Sequence, residues 1–133
     1  MAGSLTISTL KNDTGVLSVA NGMTGIPKAW VNFSGVTTTT INSSFNVSSV
    51  TRNATGDYTI NFTTAMADAN YVLSSTNTSY STANYACTAL ALKGTMASTV
   101  TLKSTTQVQV VSIVAGNAGA FDTINASLSI FGN

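Results

Sequence analysis

A period of two runs through this chain from one end to the other. Leu5 and Ile7 alternate with Thr6 and Ser8; Tyr58, Ile60 and Phe62 alternate with Thr59, Asn61 and Thr63; Ile124, Ala126, Leu128 and Ile130 alternate with Asn125, Ser127 and Ser129. Successive side chains of a β-strand point to opposite faces, so this pattern specifies strands with one apolar face turned to a core and one polar face turned to water. A helix, which repeats about every 3.6 residues, would scatter the same residues around its circumference. The apolar phase slips at two places. In Gln107-Val108-Gln109-Val110-Val111-Ser112-Ile113-Val114 it slips between Val110 and Val111, which predicts a bulge or a strand buried on both faces, and a similar slip falls between Val47 and Val50.

Turn chemistry punctuates these segments at Asn12-Asp13-Thr14-Gly15, Asn21-Gly22, Thr24-Gly25-Ile26-Pro27, Asn53-Ala54-Thr55-Gly56-Asp57 and Ala115-Gly116-Asn117-Ala118-Gly119. The alanine-rich stretch Thr64-Ala65-Met66-Ala67-Asp68-Ala69-Asn70 is too short to hold as a helix unaided and reads as a loop, or one helical turn, joining strands 57–63 and 71–76. About eight short strands spaced about ten residues apart predict an all-β chain, an antiparallel β-sandwich or a Greek-key barrel-like domain. Trp30, Phe45, Tyr58, Ile60 and Phe62 are its expected core. Trp30 and Phe33 fall on opposite faces of one strand, so one anchors the core while the other meets a neighbour.

With 133 residues the chain builds one such domain. Residues 27–133 are assigned to it, and residues 1–26 to a short N-terminal β arm with strand-like pieces at Leu5 to Leu10 and Val16 to Val19. Alone these pieces bury little, so Leu5, Ile7 and Leu10 are expected to dock on another surface; the alternative is two ordinary strands of the same sandwich.

Only 7% of residues are charged, five Lys or Arg against four Asp, with no Glu and no His, for a net charge of +1. The surface must therefore be made of short neutral polar side chains, and 23 Thr, 17 Ser and 13 Asn supply them. Such a surface lacks the clustered cations that release counterions from phosphates, which excludes a nucleic-acid binder. A hydrophobic content of 44% argues against disorder, and the absence of an apolar run of about 18 residues predicts a soluble chain with no membrane insertion. No basic and apolar leader occupies the first twenty residues, so the chain is expected to begin at its own mature end. Edge strands this poor in charge lack the usual guards against pairing, which predicts permanent association with neighbours.

The residues of common catalysis are scarce. Without His or Glu the usual general bases are missing, and Asp13, Asp57, Asp68 and Asp122 read as turn formers or caps. No nucleophile elbow, phosphate loop or dinucleotide fingerprint occurs, and the single Cys87 reads as a small buried hydrophobe. The expectation is a non-enzymatic protein with no cofactor and no metal. Tyr80 and Tyr85, in a polar stretch read as an exposed loop over residues 77–85, are the candidates for stacking on host glycan; the alternative is that they cover a sheet edge.

Lys28-Ala29-Trp30-Val31-Asn32-Phe33, then Ser44-Phe45-Asn46-Val47-Ser48-Ser49-Val50-Thr51, then Gly56-Asp57-Tyr58-Thr59-Ile60-Asn61-Phe62-Thr63-Thr64-Ala65-Met66 and Asp68-Ala69-Asn70-Tyr71 together resemble a module of tail-fibre and other structural proteins of tailed bacteriophages, cyanophages among them. The resemblance covers about residues 28–73. It implies a homotrimeric virion component, made in the host cytoplasm and displayed on the particle surface, that joins other virion proteins of the tail, the baseplate or the major capsid shell. Two roles fit this expectation. One is a tail-fibre or receptor-binding component in contact with host surface glycan, and the other is a trimeric capsid cement or decoration protein.

Overall fold

The computed structural model describes residues 9–12, 15–18, 25–79, 87–93, 102–114 and 119–132. Ten strands cross them: β1 Thr9–Asn12, β2 Gly15–Ser18, β3 Ala29–Ser34, β4 Thr40–Phe45, β5 Val47–Ala54, β6 Asp57–Phe62, β7 Val72–Ser79, β8 Cys87–Leu92, β9 Gln107–Val114 and β10 Thr123–Phe131. Eight of them form two antiparallel four-stranded sheets, in the orders β4-β3-β10-β7 and β5-β6-β9-β8. The sheets face each other as a β-sandwich and do not join into a closed barrel, so of the two all-β architectures expected the sandwich is the one formed. Residues 64–70 form the loop expected of them, with no helix.

The core lies between the sheets. Ala29, Val31 and Phe33 of β3 and Ala126, Leu128 and Ile130 of β10 meet Tyr58, Ile60 and Phe62 of β6 and Val108 and Val110 of β9, all buried. Burial of each such large side chain is worth about 1.5–3 kcal/mol. Phe33 meets Tyr58 edge-on at 5.2 Å between ring centroids, and Phe62 meets Tyr71 likewise at 5.8 Å.

Between β4 and β5 the chain passes from one sheet to the other across a single residue. Asn46 alone separates β4 from β5, with φ of 54°. Its short amide side chain tolerates this left-handed conformation and pins the corner, donating to the carbonyls of Lys28 (3.0 Å) and Thr64 (3.1 Å) and accepting the Thr64 N–H (2.7 Å). At the β5–β6 hairpin Gly56 adopts φ of 68°, and a Cβ there would lie 2.6 Å from the Phe121 nitrogen, so only glycine fits.

Bulges set which residues face inward. The β5–β6 register shifts between Val47 and Ser49, which leaves Ser48 as the extra residue and lets both Val47 and Val50 face the core, as the phase slip there predicts. The slip expected in β9 is absent. Val108, Val110 and Ser112 keep strict alternation into the core, because Ser112 fills an inward position and its hydroxyl accepts from Asn77 Nδ2 at 2.7 Å. In β10 a shift between Thr123 and Asn125 makes Ile124 the extra residue. Ile124 is therefore 49% exposed instead of sharing the inward face of Ala126, Leu128 and Ile130, and Thr123 is buried in its place.

Two expected core residues also face out. Trp30 is 37% exposed and Phe45 55% exposed, because in β3 the inward phase belongs to Ala29, Val31 and Phe33, and Phe45 is paired opposite Trp30 on the same outer face. Trp30 and Phe33 do lie on opposite faces, and Phe33 is the one that enters the core. Tyr58, Ile60 and Phe62 occupy the core as expected.

Within residues 1–26, β1 and β2 pair with each other in the register Leu10↔Leu17 as a two-stranded sheet and, among the described residues, join neither four-stranded sheet. They lie at Thr9–Asn12 and Gly15–Ser18 and overlap the expected pieces at residues 9–10 and 16–18; residues 5–8 and 19 fall outside the described residues. Leu5 and Ile7 fall outside the described residues.

Candidate functional site

The outer face of the β4-β3-β10-β7 sheet is built from uncharged residues. None of its four strands contains a Lys, Arg, Asp or Glu. The register lines up outward side chains in two rows that cross all four strands. One row reads Phe45, Trp30, Ser129, Ser74, and the next reads Ser43, Asn32, Ser127, Thr76. Beyond the first row at the same end, Val72 is 65% exposed and pairs with Phe131.

Asn32 organises the second row. Its Nδ2 donates to Asn125 Oδ1 at 2.6 Å and to Ser127 Oγ at 2.9 Å, and its Oδ1 accepts from Asn42 Nδ2 at 2.8 Å. Asn42 reaches this face because the β3–β4 register shifts between Asn32 and Phe33, which makes Asn42 the extra residue beside Ser43. The result is an amide network held flat across three strands. Beside Phe45, an open recess of about 470 Å³ is lined by Phe45, Asn46, Thr63 and Thr64.

The charged residues gather elsewhere. Asp122 Oδ1 accepts from Arg52 Nε (2.9 Å), the Gly56 N–H (2.9 Å) and the Tyr58 hydroxyl (3.0 Å), while its Oδ2 accepts from Arg52 Nη2 (2.9 Å). Burial pushes this carboxyl up, but the bonds from Arg52, Gly56 and Tyr58 outweigh it and hold the group below the usual carboxylate range. Asp57 accepts from Lys93, from Gln109 Nε2 (2.9 Å) and from Asn53 Nδ2 (3.1 Å). Burial raises it too, and these donors likewise bring it below its ordinary value. Both carboxylates have their oxygens committed to protein donors, so the cluster clasps the β5–β6 turn to the strands around it. Burial also pushes the Tyr71 hydroxyl up to about 12 and the Tyr58 hydroxyl up further, which keeps both phenols protonated and unsuited to act as bases.

Of the four aspartates read as turn formers or caps, Asp68 forms a turn, accepting the Asn70 N–H at 2.6 Å. Asp122, the residue before β10, caps the distant β5–β6 turn and adds an ion pair with Arg52, whereas Asp57 is an interstrand partner. Asp13 lies outside the described residues. Among the described residues no three His, Cys, Asp or Glu side chains come together.

Tyr80 and Tyr85 lie outside the described residues, and β7 extends to Ser79, so the expected exposed loop over 77–85 begins as strand. The sequence reading missed Asn32, Asn42, Asn125 and Ser127 as a unit. Asn125, Ser127 and Ser129 were visible as the polar phase of the last strand, but nothing in the linear order joins them to Asn32.

The arrangement defines a β-sandwich that presents an uncharged, amide- and hydroxyl-rich sheet face with an aromatic end. Compared with family models, with curated proteins and with solved structures, the chain has no match in any of the three.

Proposed function

We propose that the chain is a non-enzymatic structural protein of a tailed-bacteriophage virion, a tail-fibre or receptor-binding component that works as a homotrimer and meets the host through its neutral sheet face. The observation that supports this reading best is the exposed Trp30–Phe45 pair beside a face without a single charge. A surface of this kind exerts almost no field and so selects partners by shape and hydrogen bonding instead of by charge. The resemblance over residues 28–73 supports the virion assignment, and the charge-free edge strand β4 favours association between copies. The test is adsorption: soluble chain added in excess competes with virus for host cells, and lack of competition at any concentration refutes the reading.

A second reading is a trimeric capsid cement or decoration protein. The β1–β2 hairpin favours it, since a hairpin that joins neither sheet suits a bridge to a neighbouring capsid subunit. Copy number in purified particles separates the two, because a cement protein covers the whole shell and a fibre occupies only the tail.

A further inference from the structure

We infer that the outer face of the β4-β3-β10-β7 sheet is a binding platform for an uncharged polysaccharide, with Trp30 and Phe45 as the stacking residues. This deepens the host-contact reading above and rests on it for the source of the glycan.

Three observations carry the inference. Trp30 and Phe45 are cross-strand partners in register, both outward, and their rings are open to solvent at an end of the sheet instead of filling the core. Aromatic rings offer a broad apolar face, and the hydrogen-rich face of a pyranose ring packs against such a surface while its hydroxyls remain free at the rim. Next to the rings lies a field of hydrogen-bonding groups with the right chemistry for those hydroxyls. Among the described residues, Ser127 accepts from Asn32 with its own hydrogen unpaired, Asn125 accepts from Asn32 with its amide hydrogens unpaired, and Ser129 and Thr76 add hydroxyls. The Asn32–Asn42 network fixes these groups before any ligand arrives, which reduces the ordering cost of binding. Finally, the four strands contribute no charge, so an acidic glycan finds no cation and a neutral one loses no ionic hydration.

The same face suits a protein partner poorly. Interface cores are enriched in large side chains and depleted of serine, whereas the centre of this face is serine, threonine and asparagine. A recess lined by Phe45, Asn46, Thr63 and Thr64 opens beside one of the two stacking rings.

Trp30 is the sole tryptophan, so its fluorescence reports binding directly. Purified full-length chain is titrated with a panel of neutral polysaccharides (dextran, mannan and a galactan) and with alginate as an acidic control, by fluorescence and by affinity electrophoresis. At least one neutral polymer is expected to shift the emission and retard the protein, with alginate inert. Trp30→Ala and Phe45→Ala are expected to weaken retardation at least tenfold while leaving the β-sheet circular dichroism and the sedimentation coefficient unchanged at the assay temperature, and Trp30→Phe to restore most of it. Unchanged emission with every neutral polymer, tight binding of alginate, or wild-type affinity in Trp30→Ala overturns the inference. So does a change of oligomeric state in Trp30→Ala with glycan affinity intact, which would make the face a contact between copies. Adsorption separates the two levels: if the Trp30→Ala chain still competes with virus for host cells as well as the parent does, the host-contact reading stands and the platform is elsewhere.

Discussion

Gly56 and Asp122 meet at one point of the molecule and show how much can depend on single atoms. The Gly56 N–H donates to Asp122, and Gly56 combines a positive φ with a backbone neighbour 2.6 Å from where a Cβ would sit. Gly56→Ala is therefore expected to lower stability by about 2–4 kcal/mol, combining left-handed strain with a clash that backbone atoms cannot relieve. A denaturant midpoint shifted with an unchanged slope would show it. Asp122 holds Arg52, Gly56 and Tyr58 together. Its replacement by Asn leaves the guanidinium without its counter-charge and is expected to cost about 1–3 kcal/mol in a thermal or urea melt. Leu128→Ala, which empties a site 1% exposed between the sheets, is expected to cost about 2–5 kcal/mol by the same measurement.

At the level of strands, the sandwich depends on where alternation is interrupted. Bulges at Ser48, Asn42 and Ile124 each move one residue out of phase, and each decides which neighbours face the core or the platform. Strand existence was legible in the sequence for this reason: the apolar phase of β6 and of β10 after Ala126 runs unbroken, and burial follows it. Phase was legible at Val47 and Val50, where two apolar residues three apart demand a bulge. It was misread at Val110 and Val111, because a hydroxyl side chain in the core looks the same in sequence as one in water, and at Trp30 and Phe45, because a large aromatic in a strand is presumed inward. The Asn46 corner was not legible either, since its demand for a left-handed residue arises only from the two sheets it joins. Asn46→Ala, which loses three side-chain bonds and keeps φ of 54°, is expected to cost more than Asn46→Gly, which loses the bonds alone; calorimetry of the pair separates the two contributions.

For the whole molecule, the missing His and Glu fix the pH response. No side chain of those types titrates between about pH 5 and 8, so the melting midpoint is expected to stay level across that range. Asp57 and Asp122 sit below their ordinary values in the folded state, so the unfolded chain takes up their protons first as acid is added. Their stabilisation is full above the unfolded value of about 4 and is lost as the pH falls through the lower folded values. A melting series from pH 2 to pH 8 checks both limbs, and Asp122→Asn should flatten the acidic one. Association belongs to this scale too: a homotrimer is the expected state, and sedimentation showing a stable monomer would refute it.

Alternation of apolar with hydroxyl and amide residues was enough to determine that the chain forms antiparallel sheets around a dry seam, because side-chain direction in a strand is a local property with a period of two. The same short neutral residues determined that its surface carries little charge. Tertiary structure alone decided that Asn32, Asn125 and Ser127 form one network, that Trp30 and Phe45 stand open beside it, and that Asp122 closes on a turn sixty-six residues away. Those relations depend on which strands become neighbours and in what register, and pairing across such distances in the chain is settled by packing of the whole sandwich, which no local pattern encodes.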